Sequence, residues 1–100
     1  MIIYSVTYAI EDQLEHEWLE FMKNAFIPNV MDTGYFEDYT FTRVLAQEGT
    51  DTAYNIQYSC FNHEKLNLFI ANVQNNLDAL MHQKYNGRFA SFFTKLEKID

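Results

Sequence analysis

The sequence predicts an α+β domain, a four-stranded antiparallel sheet with two helices on one face. Three observations lead there. The 100 residues are 48% hydrophobic and 17% aromatic, with 3 Gly and 1 Pro, a composition that sets aside disorder, collagen-like repeats and low-complexity chains. The hydrophobic period switches along the chain from two residues to 3.6 and back, twice. The turn-forming residues Pro28, Gly34, Gly49 and Asn86-Gly87 fall between or at the ends of these periodic stretches. At this length the chain forms a single domain, residues 1–100, large enough to bury a core.

The first strand is expected over residues 2–10, where Ile2, Tyr4, Val6, Tyr8 and Ile10 alternate with Ile3, Ser5, Thr7 and Ala9. From Asp12 the period becomes helical: Leu14, Trp18, Phe21, Met22, Ala25 and Phe26 form one stripe, with Glu20 and Lys23 away from it. Acids in the opening turn complement the helix dipole. Pro28 is expected to end or re-set this helix, because its ring removes a donor and disfavours helical geometry at Ile27. One further turn, Asn29 to Met31, then closes at Gly34.

A second strand is expected over about Phe36 to Ala46 and a third over about Thr52 to Phe61, joined into a hairpin by Gln47 to Asp51. Asn62 is placed to cap a second helix, whose stripe runs through Leu66, Phe69, Ile70, Val73, Leu77, Leu80 and Met81. Gly87 tolerates the left-handed geometry that stops it, and Phe89 to Ile99 reads as the fourth strand. The order β-α-β-β-α-β is the ferredoxin-like, split βαβ plan.

Two helices cover one face of such a sheet and leave the other open. The bulky set Tyr4, Val6, Tyr8, Tyr54, Ile56 and Tyr58 suits the helix side. The open face then carries Ser5, Thr7, Asn55, Gln57 and Ser59, uncharged where a solvated face usually carries Lys and Glu. A second copy packed there, enclosing a polar and partly wet interior, accounts for that pattern; an exposed Ser/Thr face is the plainer alternative.

The net charge of −7, from 14 Asp+Glu against 7 Lys+Arg, opposes binding to a phosphate backbone. RNA-recognition domains share this element order, but Thr52 to Tyr58 lacks the base and the Gly of their strand-3 signature. No nucleic-acid partner is therefore expected. The single Cys60 excludes a disulfide framework and suits a reducing compartment. With no basic n-region and no long apolar stretch, a cytoplasmic location away from membranes is the expectation. All the excess acid lies in residues 1–50, where nine acids meet only Lys23 and Arg43.

The runs Ile2-Ile3-Tyr4-Ser5-Val6-Thr7, Trp18-Leu19-Glu20-Phe21-Met22-Lys23, Ile27-Pro28-Asn29-Val30-Met31-Asp32-Thr33-Gly34-Tyr35-Phe36, Arg43-Val44-Leu45, Tyr54-Asn55-Ile56-Gln57-Tyr58 and Phe89 to Glu97 resemble a family of short bacterial proteins of unknown function. That family is itself similar to the dimeric α+β barrel superfamily. The resemblance spans nearly the whole chain and implies the fold and a homodimer, but no activity. Barrels of this plan include cofactor-free monooxygenases, haem-degrading enzymes and small isomerases, and several place a His just before the Ile-Pro equivalent. This chain has Phe26 there, and an apolar ring cannot transfer a proton. Trp18, Asn24 and His16 superficially offer the residue types of a haem-degrading site, yet Trp18 lies in the apolar stripe and His16 about 160° away from it.

Four side chains are candidates for holding a small polar ligand. Arg43 is the only base on the strands before the fourth, with Phe41 and Leu45 on its parity. If that parity points into the barrel, its guanidinium suits a carboxylate; otherwise it bonds a partner subunit or a nearby Glu. Thr7, Asn55 and Gln57 offer neutral donors to a ligand in an enclosed pocket or form a ladder at the dimer interface. Cys60 and His63 are two ligands, too few for a zinc site, and His82 falls outside the second helix's stripe. The expected protein is a homodimer with a non-catalytic small-ligand-binding or interaction role, without cofactor or metal. The alternative is a cofactor-free monooxygenase or isomerase working in the barrel cavity.

Overall fold

The computed structural model describes residues 1–45 and 52–100; the expected Gln47–Asp51 hairpin loop and Ala46 lie outside them. Four strands, β1 (Ile2–Ile10), β2 (Asp38–Val44), β3 (Ala53–Cys60) and β4 (Phe89–Glu97), form one sheet in the order β2-β3-β1-β4. Every neighbouring pair is antiparallel. Tyr4 stands opposite Tyr58, Val6 opposite Ile56 and Tyr8 opposite Tyr54. These six side chains are all buried, under 8% exposed, so the bulky parity faces the helices as its alternation implies.

The helix layer consists of two rods, each interrupted by a single π turn. After a 3-10 turn at Asp12–Leu14, the first rod runs through α1 (Glu15–Phe21), a π turn (Met22–Phe26) and α2 (Ile27–Asp32). The second runs through α3 (His63–Phe69), a π turn (Ile70–Gln74) and α4 (Asn75–Tyr85). Pro28 does not end the first rod. The Ile27 N–H bonds the Met22 carbonyl five residues back, and Pro28 then sits in the first turn of α2, where its missing donor costs little. The rod closes at Gly34, whose φ of +80° suits a residue without Cβ.

The same π turns explain where the expected stripes drift. An α-helical reading continues from Phe69 through Val73, Leu77 and Leu80, yet Leu80 is 37% exposed while Gln74, Met81 and Tyr85 are buried. From Phe69 to Gln74 is five residues, the step of a π turn, so the buried face advances by one position beyond it. In the first rod the step from Met22 to the buried Ile27 does the same. β2 is shorter than expected: Phe36 precedes it and is buried against Tyr58 and Phe69, with ring centroids 5.0 and 4.7 Å away.

The core is strongly aromatic. Trp18, fully buried, meets Tyr8 and Tyr54 at 5.5 and 5.2 Å between ring centroids. Asn62 caps α3, its side-chain oxygen accepting from the Lys65 N–H at 2.8 Å. Replacing it with Ala should lower stability by about 1 kcal/mol, read as an earlier urea midpoint at constant slope; an unmoved midpoint would show that the cap contributes nothing.

Candidate functional site

Three surfaces hold polar chemistry, and the sheet's alternation separates them. On the face away from the helices, Thr7 stands opposite Asn55 and Ser5 opposite Gln57. The Asn55 amide donates to the Ser5 hydroxyl at 2.9 Å and the Thr7 hydroxyl at 3.2 Å. Thr42 donates back to the Asn55 carbonyl at 3.3 Å. Thr7 and Asn55 are half-buried and Gln57 is exposed. Thr40, Phe92, Thr94 and Leu96 share this face by register, with Phe92 66% exposed. Asp38, at one corner, is the only charge among the described strand residues of the face.

Arg43 is not with them. It stands opposite Tyr54, so its side chain leaves the sheet on the helix side, at the outer edge of β2. Its Nη2 lies 3.2 Å from Glu15 Oε1 and 3.1 Å from the Tyr54 hydroxyl. The Tyr54 hydroxyl donates to the same Glu15 oxygen. Burial first, and then the hydrogen bond to Glu15, raise the Tyr54 hydroxyl above its ordinary value. The bond to Tyr54 raises the already high value of Arg43. Of the four residues expected to hold a ligand, the structure brings Thr7, Asn55 and Gln57 together and places Arg43 on the opposite face.

The third surface is a chamber between sheet and helices that the sequence pattern does not single out. It is lined by Tyr4, Val6, Tyr8 and Tyr58 from the sheet, Phe26 and Val30 from the first rod, and Phe69, Gln74, Leu77 and Asp78 from the second. Its accessible volume is about 20 Å³, room for about one water molecule. Gln74 donates to the Tyr4 hydroxyl at 2.7 Å. The Tyr58 hydroxyl is buried and finds no hydrogen-bond partner among the described residues.

Electrostatics in the chamber favour neutral forms. Burial pushes the Tyr4 hydroxyl up to about 12 against the opposing effect of the Gln74 bond. Tyr8 and Tyr58 are pushed higher still, by burial first and then by neighbouring tyrosines. The Asp78 carboxyl is also raised by burial, with His82 working against it. Both π turns reach this chamber, one through Phe26 and the other through Gln74. Such turns recur at functional sites because they re-aim a side chain that α-helical spacing would turn away. A polar Gln five residues beyond Phe69, inside an apolar stripe, is the signal that could have found it.

The remaining candidates lie apart. Cys60 is fully buried, its thiol 3.5 Å from the Asn62 carbonyl, and His63 is exposed. Trp18 lies in the core and His16 and Asn24 on the surface. His82 packs its ring 4.9 Å from Phe89. Among the described residues no cluster of His, Cys, Asp and Glu could hold a metal ion, and no helix is long and apolar enough to cross a membrane.

A four-stranded antiparallel sheet in this order, with two helices on one face, is the ferredoxin-like α+β fold. Solved structures of that fold match over nearly the whole chain. An ethyl tert-butyl ether D (EthD) family protein from Bacillus halodurans has a TM-score of 0.72 at 13% identity, over 99% of this chain and 100% of that one. A dimeric ferredoxin-like protein from an uncultured marine organism has 0.68 at 13%, over 99% and 96%. SnoaB of Streptomyces nogalater, a cofactor-independent oxygenase, has 0.67 at 10%, over 99% and 93%. At these identities the likeness is one of fold. The chain belongs to the family described as Domain of unknown function (DUF4286), which matches residues 1–99. No protein of curated function matches it.

The buried tyrosines set an alkaline limit. A hydroxyl whose folded value is raised contributes stability that is complete below its unfolded value, about 10, and is lost as pH rises through the folded one. With Tyr4 at about 12 and Tyr8 and Tyr58 raised further, the urea midpoint should hold to about pH 10 and fall steadily above it. A midpoint unchanged at pH 11 and above would contradict the burial of these hydroxyls.

Proposed function

We propose that the protein is a homodimer paired through its open sheet faces, and that the chamber between sheet and helices, with room for about one water molecule, seats only the oxygen-bearing head of a small neutral ligand, which is not transformed. The pairing is supported by the open face itself. A broad sheet surface with one corner charge, exposed Phe92 and Leu96, and an ordered Ser5-Thr7-Asn55 ladder is unlike a solvated face. The dimeric ferredoxin-like neighbours support the same arrangement. Thr7, Asn55 and Gln57 then line the interior between the two sheets, where their amides and hydroxyls fix the register of the pair and meet any small polar molecule enclosed there.

The observation that carries the ligand reading is the Tyr58 hydroxyl, buried, without a partner among the described residues, and lining a chamber beside the Tyr4–Gln74 pair. A buried donor left unmatched is costly, and an oxygen-bearing head group, a phenol, alcohol or carbonyl, would satisfy it. Asp78 in the lining disfavours an anion. Phe26 lines the same chamber, at the position where the family resemblance places a His. The lining therefore has no imidazole, and its tyrosines hold their protons, which supports binding rather than turnover.

A cofactor-free oxygenase or isomerase is the second reading. It is favoured by one observation: the Asp78 carboxyl, raised by burial, lines the chamber and could act as a base. Asp78→Asn separates the two, since it would abolish turnover but spare the binding of a neutral ligand.

Two measurements test the proposal. Sedimentation velocity should give a species of twice the 11.9 kDa chain mass, and Phe92→Glu should shift it to monomer by placing a charge in the apolar part of the interface; a wild-type monomer at micromolar concentration would end the dimer reading. Phenol, whose hydroxyl alone matches the chamber's volume while its ring stays at the mouth, titrated with amide chemical shifts as readout, should perturb residues around the chamber, and Tyr58→Phe should weaken it about tenfold by removing one buried hydrogen bond. Equal binding by Tyr58→Phe, or oxygen uptake by the wild-type protein with phenolic substrates, would overturn the non-catalytic reading.

A further inference from the structure

We propose that Arg43 and Tyr54 form a receptor for a small carboxylate with an apolar body, and that Glu15 occupies it as a built-in competitor. Three elements distant in sequence meet here: α1 supplies Glu15, β2 Arg43 and β3 Tyr54. Arg43 Nη2 and the Tyr54 hydroxyl both direct donors at Glu15 Oε1, the former at 3.2 Å. A charged donor and a hydroxyl converge on one carboxylate oxygen, and charge-assisted hydrogen bonds are the strong ones by which carboxylates are held; here the carboxylate is one of the protein's own side chains. The guanidinium is also shared with Tyr54, at 3.1 Å, and lies 5.5 Å from the centre of its ring. The Arg43 side chain remains 57% exposed.

Arg43 divides two hollows of unlike character. One, about 340 Å³, is lined by Asp12, Gln13, Glu15, His16, Leu19 and Arg43, and its two carboxylates repel an anion. The other, about 290 Å³, is lined by Leu19, Lys23, Phe41, Thr42, Arg43 and Tyr54, with two cations and no acid. Lys23 and Arg43 are the only two bases among residues 1–50, against nine acids, and both line this one groove. The acidic half of the molecule thus places both of its positive charges beside an apolar floor of Leu19 and Phe41. The volume is at the lower end of that of ligand pockets and suits a single-ring or short branched carboxylic acid.

Exchange explains how such a ligand could enter. If its carboxylate, approaching from the groove, takes the Arg43 and Tyr54 donors over from Glu15, those donors keep a partner and Glu15 turns to water in the acidic hollow that it lines, so no donor is left unmatched. Apart from Thr42, whose parity is that of the open face, the groove is lined from the helix side of the sheet and its β2 edge, which pairing through the open face leaves accessible. It shares no lining residue with the chamber, so this inference goes beyond the chamber reading and stands independently of it.

Phenylacetate, titrated into the full chain with amide chemical shifts as readout, tests it. Glu15→Gln should bind about fivefold more tightly than wild type, because the competing carboxylate is gone. Glu17→Gln, an equal charge change at an exposed position of the same helix, should leave affinity unchanged. Arg43→Met should weaken binding at least about tenfold, and Arg43→Lys should restore only part of it, since the charge is kept but the planar guanidinium that bonds both the carboxylate and the Tyr54 hydroxyl is lost. All three positions are on the surface or at its edge, and thermal unfolding of each variant confirms the fold. The proposal is overturned if Glu15→Gln gains nothing, if Glu17→Gln gains as much, if Arg43→Met binds as wild type does, or if neither wild type nor Glu15→Gln binds the probe. Binding abolished by Tyr58→Phe and untouched by Arg43→Met would move the ligand to the chamber and overturn it as well.

Discussion

A one-residue slip between β1 and β3 would exchange the two faces of the sheet, because successive side chains of a strand point to opposite sides. The observed register sets Tyr4, Val6 and Tyr8 against Tyr58, Ile56 and Tyr54 and sends the polar tips of four tyrosines into the space beneath the helices. Apolar burial of the rings holds the layers together. The hydroxyls they carry have then to be matched in a low-dielectric interior. Gln74 meets Tyr4, Glu15 and Arg43 meet Tyr54, and Tyr58 is left beside a small chamber. The polar chemistry of the helix side is the consequence of making the sheet's buried face from tyrosine.

The π turns decide which side chains meet those rings. One extra residue in each rod re-aims the side chains beyond it. In the first rod this brings both Phe26 and Ile27 into the buried layer and places Pro28 where a helix tolerates it. In the second it turns Gln74 inward. The chamber therefore sits where the two irregular turns approach the same tyrosines, and its composition depends on which residues those turns present.

Much of the fold was legible in the sequence, and the reasons are local. Alternation in residues 2–10 and 53–60 identifies both the strands and the face each residue takes, and Asn62 and Gly34 mark a helix start and a helix end by known geometry. Pro28 left an end and a re-setting of the helix both open, and the structure shows the re-setting, with a further turn closing at Gly34; the choice depends on the turn before Pro28, which a regular period does not reveal. Leu80 and Gln74 exchanged places for the same reason. Among the site residues, Thr7, Asn55 and Gln57 were legible as a group because parity alone brings them together. Arg43 was harder: its face follows from its pairing with Tyr54, a long-range register, and its partner Glu15 is 28 positions away. The chamber was hidden because Tyr4, Tyr8 and Tyr58 read as core, which they also are; only their packing shows which hydroxyl is left without a partner.

The acidic surplus of the first half of the chain acquires a structural meaning from its pairings. Glu11 holds Arg88 at 3.0 Å and Glu37 holds Lys65 at 3.3 Å, tying the first half to bases of the second across the ends of the sheet. Exposed pairs of this kind contribute little each, so they orient more than they stabilise. Glu15 differs, because its partners are a base of its own half and a tyrosine at the edge of the buried layer. It joins the solvated acidic helix to the aromatic layer beneath. Any ligand that displaced it would act on α1 and on the β2–β3 edge together, and Trp18 of α1 packs on that edge, its ring 5.2 Å from Tyr54 and 6.1 Å from Phe41. At that edge a surface carboxylate is hydrogen-bonded to a tyrosine of the buried layer.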